Sequence, residues 1–153
     1  MSIKKDIQTK GFHSEQEKAF VNLIHTPAHF ESLFSHFIKD FGLSPQQYNV
    51  LRILRGQSPN AILGGELQKR MLHNMSNATR LVDKLVEKGL VDRSKNSNDK
   101  RQILVSINKQ GLKLLAKLDN EVVNFDEKIM NLPEAQLMVL NLLLDDLRAS
   151  SKE

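Results

Sequence analysis

With 153 residues, 40% hydrophobic and 26% charged, the chain has the composition of one globular domain with its own core rather than of a disordered polymer. It contains neither a run of 18 apolar residues nor an apolar N-terminal stretch after basic residues, so neither a membrane span nor a secretory signal is expected and the reading is cytoplasmic. Cysteine is absent, which excludes disulfides, cysteine zinc clusters and thiol switches, and the formal net charge is +4.

Residues 1–11 are polar and little periodic, and read as a loose arm. Glu15 to Phe41 reads as a long helix, with Phe20, Ile24, Phe34, Ile38 and Phe41 on one side and Leu23, Phe30 and Phe37 beside them. Pro27 interrupts that pattern, so the helix is expected to kink or restart there. His25, His29 and His36 project together on the opposite face, which raises a metal or pH-sensing reading. Against it, His29 and His36 stand about 10 Å apart along a straight helix, too far to share an ion. A solvated face is the simpler account, and no metal or other cofactor is expected.

Ser44, Pro45 and Gln47 predict a helix start, with Ser44 as N-cap, Pro45 at the first helical position and Gln47 completing a capping box. Tyr48, Val50, Leu51 and Leu54 continue that helix to Gly56. Gln57 to Asn60 is a turn, and Ala61-Ile62-Leu63 is an apolar piece able to add a third strand to a small sheet. Gly64 or Gly65 opens the next helix, with Leu67, Met71 and Leu72 as its buried side.

The most informative stretch runs from Asn74 to Arg101. Ala78, Leu81, Val82, Leu85 and Val86 repeat at threes and fours, which at about 100° per residue gathers them on one helical face. Asn74 is placed as the N-cap, and Gly89 as the left-handed residue that ends the helix. Ser76 and Asn77 in the first turn, with Arg80 one turn on, suit a major groove, where short polar groups reach base edges and a guanidinium takes guanine bidentately. An ordinary surface helix would show the same pattern. Leu90 to Arg93 and Ile103 to Ile107 read as the strands of a β-hairpin whose tip spans Asn96 to Arg101. Asp99 and Arg101 lie two apart on an extended limb, so the carboxylate can orient the guanidinium toward a narrow minor groove. A plain surface ion pair is the competing account. Glu66 to Arg101 holds nine basic and five acidic residues, a net of +4, so the rest of the chain is neutral and the whole excess sits where a polyanion would dock.

Beyond the hairpin, Asn108 caps a helix carrying Leu112, Leu115, Leu118, Val122, Phe125 and Ile129. Pro133 begins another, in which Leu137, Leu140, Leu144 and Leu147 form a stripe widened by Met138 and Leu142. A terminal helix apolar over more than one face needs two partners, and the second is most simply the same helix of another subunit. Membrane-surface binding is disfavoured because residues 109–153 carry a net charge of −2.

The stretch Arg80 to Arg93, followed by Asp99-Lys100-Arg101 and Ser106 to Gly111, resembles the signature of the MarR family of bacterial transcriptional regulators. The resemblance implies a mainly α winged helix-turn-helix fold with a small β-hairpin wing. Residues 44–107 would be its DNA-binding region, and residues 1–43 with 108–153 a helical dimerisation region. It implies a homodimer on a pseudo-palindromic double-stranded operator, acting as a repressor and released by a small-molecule effector. The DNA-facing set is then Asn74, Ser76, Asn77, Thr79, Arg80, Lys84, Arg93, Lys95, Asp99, Lys100 and Arg101, with Asp99 supporting Arg101. An effector pocket would involve Phe30, His36, Phe37, Tyr48 and Met71. The lack of cysteine excludes the family's cysteine-based peroxide sensors. The chain departs from the family pattern where a Ser or Thr usually caps the first helix of the motif, for it has Gly64 and Gly65 there, and Gln68 where an Ala usually follows the Leu. No nucleophile with a base at motif spacing and no Gly-rich phosphate loop is present, so catalysis is not expected. A winged helix that binds another protein instead of DNA is the alternative reading.

Overall fold

The structure is a computed structural model and describes residues 2–72 and 77–150. It is mainly helical, with one three-stranded antiparallel sheet, as the periodicities require. Contacts divide the chain into two units, residues 1–112 and residues 113–153.

In the first unit, helix α1 (Ile3–Asp6) stands where a loose arm was expected, and its Ile3 is buried. Two isoleucines four apart, Ile3 and Ile7, are too short a pattern to establish a period in a polar stretch, so the sequence offered little cue for it. Helix α2 (Glu15–Lys39) starts on Ser14, whose hydroxyl accepts the amide N–H of Glu17 at 3.1 Å. It runs through Pro27 as one helix, so the chain does not restart there. Proline lacks an amide donor and crowds the carbonyl four residues back, yet the 25-residue helix is continuous across it.

Helix α3 (Pro45–Arg55) has the expected capping box: Gln47 N donates to Ser44 Oγ at 3.2 Å and Ser44 N to Gln47 Oε1 at 3.1 Å. Its Val50, Leu51 and Leu54 are fully buried, and it packs against α2, helix α4 (Gly64–Arg70), helix α5 (Ala78–Glu87) and strand β3 (Ile103–Ile107). That makes it the central rod of the unit. Strands β1 (Ile62–Leu63) and β2 (Val91–Lys95) flank β3 in the order β1-β3-β2, with Ile62 opposite Val105 and Val91 opposite Ile107. The apolar piece before α4 is therefore the third strand anticipated for the wing sheet.

Helix α4 begins at Gly64 without a side-chain cap, as its glycines foretold. Leu67 and Met71 are buried, but Leu72 is 81% exposed. The chain turns extended at Met71, with ψ of 140°, so Leu72 leaves the helical face that would have buried it. Helix α5 begins at Ala78, where its apolar period starts, and not at the earlier point that a cap at Asn74 implied. Its cap is Asn77, whose Oδ1 accepts the Arg80 amide at 3.1 Å; Asn74, placed as the cap from the sequence, lies outside the described residues. Ala78, Val82 and Leu85 are buried, while Val86 is 39% exposed at the rim of the apolar face.

Helix α6 (Lys109–Ile129) starts in the first unit and continues into the second, which helix α7 (Glu134–Ser150) completes. Leu115, Leu118 and Val122 of α6 are buried. No residue of α7 is buried, and its Met138, Val139, Leu142, Leu143 and Leu147 are each at least half exposed. Among the described residues no helix is long and apolar enough to cross a membrane.

Gly111, in the first turn of α6, is required by close approach. A Cβ there would run into the carbonyl oxygen of Leu90 and lie 2.7 Å from Cγ1 of Ile107. Backbone cannot move aside as a flexible side chain can. Gly111→Ala is expected to lower stability by about 1 to 3 kcal/mol in denaturant titration, and an unchanged midpoint would show that α6 shifts to admit the methyl group.

Candidate nucleic-acid interface

The basic segment is built on α5 and the hairpin. Burial of Val82 and Leu85 turns the opposite face of α5 outward, so Thr79, Arg80 and Lys84 are exposed. Asn77 is exposed as well, but its side-chain oxygen is committed to the cap, which leaves its amide nitrogen as the outward donor. Ser76, placed beside it as a base reader, lies outside the described residues, as does Asn74. Arg93, assigned to DNA from its sequence position, donates through Nη1 to Oδ1 of Asp83. Its guanidinium therefore ties β2 to the middle of α5. Both side chains are close to half exposed, so the pair contributes about 0 to 1 kcal/mol and mainly sets direction.

The wing tip is ordered by its own side chains. Asn96 N donates to the carbonyl of Gln102 at 3.0 Å, and Asn96 Nδ2 to Gln102 Oε1 at 3.0 Å. Asp99 and Arg101 do meet, with Arg101 Nε 3.3 Å from Asp99 Oδ1, but the geometry is a turn and not the extended limb expected. Gln102 N donates to the Asp99 carbonyl at 2.9 Å, and the Asp99 carboxylate also accepts the backbone N–H of Arg101 at 3.0 Å. An aspartate that binds the amide two residues on closes an Asx-type turn. Arg101 is thereby held at its root while its side chain stays 92% exposed. Lys95 and Lys100 stand exposed on either side of the tip.

The junction of α5, the hairpin and α6 joins Gly89 and Asn108, both placed from the sequence, with Lys88, which the sequence reading did not single out. Gly89 takes a φ of +66°, the left-handed conformation anticipated for it, and Leu90 N then returns to the carbonyl of Leu85 at 3.0 Å. Asn108 caps α6 by accepting Gln110 N and Gly111 N at 3.0 and 3.1 Å. Its amide nitrogen meanwhile donates to the carbonyl of Gly89 at 3.0 Å and to Asp92 Oδ1 at 3.3 Å. Lys88, the C-cap of α5, donates through Nζ to the carbonyl of Gly42 and to Gln47 Oε1, the latter at 2.9 Å. Those partners lie 46 and 41 residues away, so no local pattern could have announced them.

Of the residues expected around an effector, Phe37 and Tyr48 are joined through Phe34, with ring centroids 6.0 and 5.5 Å apart. Tyr48 is buried and its hydroxyl accepts from Arg52 Nη1 at 2.9 Å. Met71 is buried, Phe30 meets His29 edge to face at 5.7 Å, and His36 is exposed. His25 and His29 are exposed, as a solvated face requires, and they border a cleft with Ile7, Val21, Ile24 and Ala28. Among the described residues no three histidine or carboxylate side chains converge as a metal site would need. A second groove, of about 420 Å³, lies between α4, α5 and β3 and is bordered by Thr79, Arg93 and Arg101. Beside it, Lys69 holds the Glu66 carboxyl below its usual range, first by a hydrogen bond at 2.9 Å and then by its charge. Any stability from that exposed pair is present above the ordinary carboxylate pKa and is lost as pH falls through the lowered one.

Residues 43–103 match the model of the MarR family. The multiple antibiotic resistance protein MarR of Escherichia coli strain K12 is 32% identical over 81 residues, covering 53% of this chain and 55% of that protein. The chain thus spans about half the length of the curated relatives it matches. The crystal structure of a MarR transcription factor from Planctomyces limnophilus has a TM-score of 0.70 and 29% identity, covering 90% of this chain and 99% of that one. A cysteine-to-serine mutant MarR from E. coli, complexed with operator DNA, shares the fold with a TM-score of 0.70 at 24% identity, covering 96% and 99%. The wing and its signature residues agree with these likenesses, and over residues 43–103 the chain is similar to MarR-family transcription regulators.

Proposed function

We propose that the protein is a transcription regulator that binds double-stranded DNA in a sequence-specific manner, as a homodimer and as a repressor. The observation that carries this reading is the presentation of Arg101, which is 92% exposed yet anchored through both its amide and its guanidinium to Asp99. A surface cation placed for solubility has no need of a turn built to aim it. In the proposed complex the exposed face of α5 enters a major groove, with Arg80 and Thr79 toward base edges. Arg101 enters the adjacent minor groove, where the negative potential is greatest when the groove is narrow. Lys84, Lys95 and Lys100 meet phosphates, which fix register and carry no sequence information.

The dimer is proposed from α7. Its apolar side chains lie open to water within one chain, and covering them stabilises by about 25 cal/mol for each Å² removed from solvent. Two copies related by a twofold axis would set their α5 helices on successive turns of a pseudo-palindromic duplex, about 34 to 36 Å apart. Repression then follows from occupying the promoter. A small effector entering near Phe30, His36, Phe37, Tyr48 and Met71 is the proposed control, since a change of packing there would alter the α5 spacing.

Arg101→Ala is expected to weaken binding to a duplex selected by the wild-type protein from a random library by about 1 to 3 kcal/mol, with the sedimentation of the dimer unchanged. Equal affinity of the two proteins would remove Arg101 from the interface. Lys84→Ala, Lys95→Ala and Lys100→Ala should each lower affinity for all duplexes alike and reduce the logarithmic salt slope by about 1. A change in sequence preference instead would place those lysines at base edges.

A further inference from the structure

Lys88 stands on α5 but away from the face that carries Thr79, Arg80 and Lys84. Its Nζ donates to the Gly42 carbonyl and, at 2.9 Å, to Gln47 Oε1. Gly42 closes the C-terminal end of α2: it has a φ of +71°, and its N–H donates to the Lys39 carbonyl at 2.9 Å. Lys88 is itself the C-cap of α5. The ammonium therefore sits just beyond the carbonyl end of α2, where the macrodipole favours a cation. Its second partner, Gln47, is only 4% exposed and belongs to the first turn of α3. The amide oxygen of Gln47 has two lone pairs, one used by Ser44 N in the capping box and the other by Lys88.

We propose that Lys88 is a positioning residue for DNA readout, its ammonium fixing the angle at which α5 leaves the α2–α3 scaffold. The proposal rests on the DNA-binding reading given above and names a residue that acts through α5 without touching the duplex. The remaining ties of α5 restrain it differently: Val82 and Leu85 pack without direction, and the Asp83–Arg93 pair joins α5 to the wing rather than to α2 or α3. Lys88 supplies directional bonds from the C-terminal end of α5 to both of those helices. Because Ser44 still satisfies Gln47 when the ammonium is removed, the capping box survives the substitution and the fold is kept.

The test compares wild type, Lys88→Met and Lys88→Arg on two duplexes, one enriched by the wild-type protein from a random library and one of scrambled sequence, across a salt series. Lys88→Met should lose about tenfold in affinity for the enriched duplex and less than twofold for the scrambled one, with the salt slope unchanged on both. Lys88→Arg, which keeps donors at the same place, should recover at least half of the loss on a logarithmic scale. Equal losses on both duplexes with a slope smaller by about 1 would make Lys88 a phosphate contact and overturn the proposal. A lowered melting temperature with both affinities unchanged would make it a stabilising residue only, and would overturn it equally. Failure of the wild-type protein to enrich any duplex would defeat the DNA-binding reading itself and the proposal with it, a result distinct from an enriched duplex that Lys88→Met binds as well as wild type.

Discussion

The arrangement of the winged unit depends on one crowded crossing, where the carbonyl of Leu90 meets the start of α6. Leu90 O accepts Asn108 N at 3.3 Å, and the same oxygen occupies the space in which any side chain at Gly111 would lie. Asn108 then reaches back to the carbonyl of Gly89 and to Asp92. Three elements, α5, β2 and α6, thus share one set of backbone groups. A backbone oxygen in a crossing this tight has little freedom, so the direction of α5 relative to the hairpin follows from it. The exposed side chains of helix and wing inherit that relation.

Charge placement acts on top of this frame. The net +4 of residues 66–101 would serve only solubility if its cations were free to wander. The structure instead restrains several of them: Arg93 by Asp83, Arg101 by Asp99 and Lys88 by the ends of α2 and α3. Each restraint uses an acceptor that leaves part of the cation's charge unneutralised or points the side chain in a chosen direction. Such pairs add little to stability at a surface, and their value lies in lowering the conformational entropy lost when a polyanion binds. For Lys84, Lys95 and Lys100 no such acceptor is seen among the described residues, and they are the cations proposed for the nonspecific part of the attraction.

The two ends of the chain pose a different problem. Helix α7 exposes Met138, Val139, Leu142, Leu143 and Leu147, and α2 exposes Phe20 and Ile24 at 63% each. Apolar patches of that kind on a lone chain mark a surface meant to be covered. A second copy is the proposed cover.

The amino-acid sequence by itself determined the elements whose cues are local. The capping box at Ser44 and Gln47, the left-handed Gly89, the cap at Asn108 and the alternating strands of the hairpin each need only a few neighbouring residues, because a turn or cap closes over one or two peptide units. The same locality carried the basic cluster and the family signature. What only tertiary structure decided are the points where a local rule left more than one outcome. The cap of α5 fell to Asn77; Leu72 turned outward once the chain left α4; α2 ran on through Pro27; Ile3 found a buried place in a polar stretch. Asp99 reached Arg101 through a turn rather than along a strand, and Lys88 found acceptors more than 40 residues distant. In each case the outcome depends on which partner other parts of the chain bring near. Hydrophobic period and capping chemistry report one helix or one turn at a time, and carry no record of such partners.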